Sequence, residues 1–183
     1  MKKALIAATV VLAMSAAPAF ARGRHTGHKG AKTAKAGSDQ TFVMKAAKGG
    51  MAEVELGKLA AQKGASDQVK KFGQRMVDDH GKANDELKSL AQNKNITLPT
   101  DLDPKDKALR DRLDKLSGDA FDRAYMQAMV TDHRQDANEF RMESTSGKDM
   151  DIKQWASKTL QTVEDHLKQA EDANRAVGTS GKK

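Results

Sequence analysis

Proline is the residue a helix interior tolerates least, and this chain has only three, at Pro18, Pro99 and Pro104. Either side of the Pro99–Pro104 pair lies a long stretch in which apolar residues recur at helical spacing, with no run of β-branched residues between them. The pattern predicts an all-α fold. The first helix is expected to start after Ser38 as N-cap, with Phe42, Ala46, Gly49, Glu53, Leu56 and Ala60 inward, and to stop at Gly64. Ser66 then caps a second helix that buries Val69, Phe72, Met76, His80, Ala83, Leu87 and Leu90. The turn between them is too short for anything but antiparallel neighbours.

Asp103-Pro104 reads as an N-cap and N1 pair opening a short helix to Leu116, broken by Ser117-Gly118. A third long helix runs from about Asp119 to Ser146, with Phe121, Tyr125, Met126, Met129, His133, Ala137 and Phe140 inward. Gly147 ends it. A fourth, from Met150 to about Asn174, buries Ile152, Trp155, Thr159, Val163, His166, Ala170 and Ala173. Two hairpins joined by a crossover that holds a short helix make a ferritin-like four-helix bundle over residues 39–176, with a frayed tail at 177–183. The halves also resemble each other weakly: Phe42 aligns with Phe121, and Val69…Phe72 with Ile152…Trp155, if a small gap is allowed. Gly49-Gly50 inside the first helix points to close helix–helix approach.

The N-terminus reads as an export signal. Lys2-Lys3 precede an apolar run from Ala4 to Ala16, and Ala19-Phe20-Ala21 is an A-x-A site, so cleavage is expected after Ala21 and the mature protein in the periplasm. The apolar run is too short to span a bilayer as a mature helix, and no other segment approaches one. Seven of the 32 basic residues lie before Asp39, and none of the 25 acidic ones do. The basic excess therefore belongs to residues 22–38, an expected disordered linker suited to loose contact with anionic envelope polymers. The folded part is charge-neutral, which argues against nucleic acid as a partner. Oligomeric state is left open.

The candidate chemistry sits in three related tetrapeptides: Val77-Asp78-Asp79-His80, Val130-Thr131-Asp132-His133 and Val163-Glu164-Asp165-His166. Each places a histidine mid-helix on the apolar stripe, and Glu53 holds the matching place on the remaining long helix. Counted from the short turns, Glu53 lies about 17 Å along its helix and His80 about 23 Å, while His133 and His166 lie about 22 and 28 Å along theirs. Side chains lean toward their own helix N-terminus, which closes both offsets and lets four groups meet at one level. Glu53, His80, His133 and His166 thus form a candidate site for one divalent transition metal: zinc, iron or copper. The di-iron pattern of Glu three residues before His is missing, because Val77 and Val163 stand there. The preceding Asp79, Asp132 and Asp165 either orient a neighbouring imidazole or pair with lysines on the polar flank. Met76 and Met129, one turn before His80 and His133, are adaptable core filler or soft donors that favour copper. A metal-free polar layer that fixes helix register is the alternative to a metal site.

Ala52-Glu53-Val54-Glu55-Leu56-Gly57-Lys58-Leu59-Ala60, Met76-Val77-Asp78-Asp79-His80, Phe121-Asp122…Tyr125…Met129-Val130…His133 and His166 together resemble a bacterial family, domain of unknown function 4142, over Thr41 to about Ala173. The resemblance implies an exported, ferritin-like helical bundle, often labelled an outer-membrane protein, with no established activity. Neither a barrel pattern nor a lipid-anchor cysteine supports an outer-membrane placement here. Cysteine, a nucleophile elbow and a phosphate-binding glycine loop are all missing, so nucleophilic catalysis has no candidate. The expected function is metal buffering, storage or stress protection. The alternatives are a non-metal envelope protein acting through partners or anionic surfaces, and a metal-dependent oxidase or peroxidase.

Overall fold

A computed structural model describes residues 33–180, with side chains from 39 to 179. The expected signal peptide and most of the basic linker lie outside the described residues. Within them the chain is all-α: α1 Thr33–Lys63, α2 Asp67–Asn93, α3 Pro104–Asp114, α4 Gly118–Ser146 and α5 Met150–Ser180. None of these helices is long and apolar enough to cross a membrane.

α1 packs along α2 and α4 along α5, and the two pairs meet through α1 on α4 and α2 on α5. The polar residues in mid-helix divide the apolar interior in two. One cluster holds Leu56, Phe72, Met76, Phe121, Tyr125, Met129 and Ala170. The other holds Phe42, Ala47, Leu87, Phe140, Ile152 and Trp155. Along every long helix, the residue at the candidate site stands between members of the two clusters. The expected stripes are the buried ones: every inward residue named for α4 and α5 is buried, and so are Val69, Phe72, Met76, His80 and Leu87 of α2.

The ends depart from expectation in ways that have local causes. α1 begins at Thr33, so Ser38 lies inside the helix and not at its start. α5 continues past Asn174 to Ser180, with Val177 buried against the first cluster. Asp103 precedes α3 without a side-chain capping bond; it pairs instead with Lys48 of α1 at 2.7 Å. Gly118 opens α4 at φ +58°, a left-handed conformation that favours glycine. Ser66 does cap α2, its hydroxyl accepting from the Val69 amide at 3.2 Å.

Two buried aspartates tie the hairpins together. Asp122 of α4 accepts the amides of Ala65 and Ser66, both at 2.8 Å, at the α1–α2 turn. Asp39 of α1 accepts those of Lys148 and Asp149, at 2.8 and 2.6 Å, at the α4–α5 turn. Each aspartate thus holds the open amides at the start of the other hairpin's second helix. The separation that relates Asp39 to Asp122 also relates Ala65 to Lys148, Ser66 to Asp149, Val69 to Ile152 and Phe72 to Trp155. The two halves therefore correspond without a gap, and the partner of Phe42 is Tyr125, not Phe121.

The tightest helix approach lies beyond Gly49-Gly50. A Cβ on Gly57 would stand 2.6 Å from the Gly73 carbonyl oxygen, and one on Gly73 2.7 Å from the Gly57 carbonyl oxygen. α1 and α2 therefore touch backbone to backbone near their turn. Gly50 also serves close contact, since a Cβ there would collide with the Asn84 side chain.

Candidate metal centre

His80 of α2, His133 of α4 and His166 of α5 come together in the polar layer. Each offers a ring nitrogen, and the three nitrogens lie within 4.8 Å of one another. Ring centroids are 5.2 Å apart for His80 and His166, 5.5 Å for His133 and His166, and 5.7 Å for His80 and His133. His133 and His166 are fully buried and His80 is 7% exposed.

Hydrogen bonding assigns the tautomers. The Nδ1–H of His133 donates to the Met129 carbonyl at 3.0 Å, leaving Nε2 with a lone pair and no partner. The Nε2–H of His166 donates to Asp79 Oδ2 at 2.8 Å, which leaves its Nδ1 likewise unpartnered. His80 Nε2 is the third buried nitrogen without a partner. An unsatisfied buried polar atom is costly, and three such nitrogens on neighbouring rings are donors that a ligand would satisfy.

All three rings are held neutral. Burial lowers the His80 pKa well below the usual imidazole range, with the nearby His133 and His166 adding to it. Burial, then His166, brings His133 down to about 4. Burial also lowers His166, against the opposing pull of Asp79. Neutral imidazoles with free lone pairs are the form that binds metal.

Asp79 takes the first of the two roles open to it. Besides His166 it accepts from Arg75 Nε at 3.1 Å, while Arg75 Nη2 reaches Asp165 at 2.7 Å. Partial burial pushes the Asp79 carboxyl up, but the hydrogen bonds from His166 and Arg75 outweigh it and hold it below its usual range. A carboxylate behind a ligating imidazole fixes the ring and raises its basicity. Asp165 stays on the polar flank, paired with arginine rather than lysine.

Glu53 does not join the three nitrogens. It is fully buried, with Oε1 3.4 Å from His133 Nδ1, the ring nitrogen opposite the free one. It groups instead with Asp132 and Asp136 of α4. Burial first, then the charge and the hydrogen-bonding contact of Asp132, then the charge of Asp136, hold its carboxyl well above the usual range. Glu53 lies beside His133, on the Nδ1 side of its ring. Met76 and Met129 are fully buried within the apolar cluster next to the rings.

Asp136 carries no motif and escapes a reading from sequence, and Tyr125 is legible there as an inward residue but not as a neighbour of Glu53. The buried Tyr125 hydroxyl has no partner and faces the influence of Glu53. A surface cleft of about 110 Å³ between α2 and α5, lined by His80, Ala83, Thr159 and His166 among others, leads to the histidines from outside.

The fold and the site together define an all-α protein with a buried cluster of three neutral imidazoles whose donor atoms suit a transition metal. The chain belongs to the family described as domain of unknown function DUF4142, whose profile matches residues 25–173. No curated protein matches the sequence. Among solved structures, a DUF305 fragment from Deinococcus radiodurans is similar, with TM-score 0.66 and 10% identity over 78% of this chain and 96% of that one. CopM in its Cu(I)-bound form is similar with TM-score 0.63 and 16% identity, over 75% of this chain and 96% of that one. At these identities the likeness is one of fold.

Proposed function

We propose that this chain is an exported, ferritin-like four-helix bundle of the periplasm that holds one transition-metal ion on His80 Nε2, His133 Nε2 and His166 Nδ1. Its role on this reading is metal buffering, storage or protection against metal stress. The observation that carries the proposal is the convergence of three buried imidazoles that offer ring nitrogens within 4.8 Å of one another, each ring also having one buried nitrogen without a hydrogen-bond partner. Residues 22–38 would serve as a basic tether to anionic envelope polymers.

Copper in its monovalent state is the favoured ion. Three neutral donors bring no charge of their own, and burying a single positive charge in an apolar layer costs less than burying two. Imidazole is a suitable ligand for copper, and the fold neighbour CopM is known in a Cu(I)-bound form. The cleft between α2 and α5 would admit the ion beside His80 and His166.

The test is elemental analysis of protein isolated from its native periplasm, followed by Cu(I) and Zn(II) titration against a chromophoric chelator. One equivalent of copper in the wild type, lost in His133→Ala and His166→Ala while their helical circular dichroism persists, supports the reading. A protein isolated without metal that takes up neither copper, zinc nor iron refutes it.

A further inference from the structure

A second cluster lies on the other side of His133, in a different chemical setting. Glu53 of α1 and Asp132 and Asp136 of α4 each offer a carboxylate oxygen, all within 4.8 Å of one another. Glu53 is fully buried, and no N–H or hydroxyl donor reaches Oε1 or Oε2. Crowded carboxyls hold one another protonated unless a nearby cation offsets their charge. Among the described residues, no lysine or arginine forms an ion pair with any of the three. Lys45 is taken by Glu139 at 3.1 Å and Lys48 by Asp103 at 2.7 Å, and Lys105 lies 3.9 Å from Asp106. Lys105 also lines a cleft beside Asp136, without an ion pair to it, and His133 Nδ1, 3.4 Å from Glu53 Oε1, already donates to Met129.

We propose that Glu53, Asp132 and Asp136 form a separate, oxygen-ligated site for a hard divalent cation of the magnesium, calcium or manganese kind. Carboxylates and water are the donors such ions take. Three carboxylates supply the charge that the imidazole cluster lacks, so a dication belongs here and not there. A cleft of about 340 Å³ opens over Asp132 and Asp136, giving the ion a path in and room for the waters that complete its shell. Asp106, in the first turn of α3, lines the same cleft and places a fourth carboxylate at its mouth. Gly49 lies on the α1 wall beside Asp136, where a Cβ would stand 3.8 Å from Asp136 Oδ2, an ordinary van der Waals contact. Glu53 and Asp136 are also equivalent residues of the two halves, with the same separation as Asp39 and Asp122. The ion would thus bridge matching positions of α1 and α4. The proposal does not depend on the histidine cluster.

The experiment is a Mn²⁺ titration of the purified chain, reading the electron paramagnetic resonance signal of free aqueous Mn²⁺, with Mg²⁺ and Ca²⁺ as competitors. Wild-type protein is expected to take up one Mn²⁺. Asp136→Asn and Asp132→Asn should each weaken it by at least about tenfold, the loss typical even of an outer partner. The double variant His80→Ala/His166→Ala should keep Mn²⁺, and Asp136→Asn should still load copper. A melting temperature of metal-free Asp136→Asn at or above wild type verifies its fold; Asp132→Asn, half-exposed, decides the matter if Asp136→Asn does not fold. Three results overturn the proposal: no saturable Mn²⁺ in the wild type, unweakened binding in the aspartate variants, or loss of Mn²⁺ in the histidine double variant alone.

Discussion

Asp122→Ala removes a carboxylate that is 2% exposed and holds two backbone amides, Ala65 and Ser66, each at 2.8 Å. A hydrogen bond to a charged acceptor contributes about 1.5–3 kcal/mol, and an amide left without a partner forfeits its desolvation besides. The Ala65 end of the turn is exposed, so water recovers part of the loss. The expected cost is about 3 kcal/mol, which for a domain of this size lowers the melting temperature by about 6–12 °C. Asp122→Asn keeps one acceptor oxygen where two amides need one each, so about half that cost is expected. Asp39→Ala should cost a similar amount, because Asp39 holds Lys148 and Asp149 in the same way at the other end of the molecule. Sites so far apart should add within about 0.5 kcal/mol in the double variant. Calorimetry and urea unfolding of metal-free protein measure all four. A shift of less than about 2 °C for Asp122→Ala would refute the view that these aspartates clamp the hairpins together.

Gly73→Ala pushes a methyl into the Gly57 carbonyl and Ala60, and should destabilise by about 1–3 kcal/mol through overpacking, read as a lower urea midpoint. Burial brings His133 from 6.5 to about 4; the unfolded chain then binds more protons between those values, so its contribution is full above about 6.5 and is lost as pH falls toward about 4. Metal-free wild type should therefore lose more stability than His133→Gln over that window, by up to about 3 kcal/mol, and parallel pH profiles would count against it. Asp136 runs the other way. Burial and then Asp132 raise it from 3.8 to about 8, so its favourable protonation is lost as pH rises between those values. Metal-free Asp136→Asn should be more stable than wild type at neutral pH, by about 1–3 kcal/mol after allowance for partial solvent access, and chemical denaturation measures this.

Helix positions and inward faces were legible because periodicity is local: each turn brings residues at i, i+3, i+4 and i+7 to one side. The heights of Glu53, His80, His133 and His166 were legible for the same reason, since rise per residue is constant and short turns supply a common origin. The ends of α1 and α5 were less so, because propensity and caps compete weakly with packing such as that of Val177. The gapless correspondence of the halves became visible only through the matching bonds of Asp39 and Asp122, because the two halves share few residue types.

The sequence by itself determined an all-α chain, its hairpins, and three histidines brought to one level. Tertiary structure decided which atoms face which. It set Asp79 of α2 behind His166 of α5 and turned His133 Nδ1 to its own backbone, so that one nitrogen of each is free. It moved Glu53 out of the imidazole group and into the company of Asp132 and Asp136. Height along a helix follows from counting residues, but neighbours around it depend on how each helix is rotated against the next, and only side-chain packing across the interfaces settles that rotation.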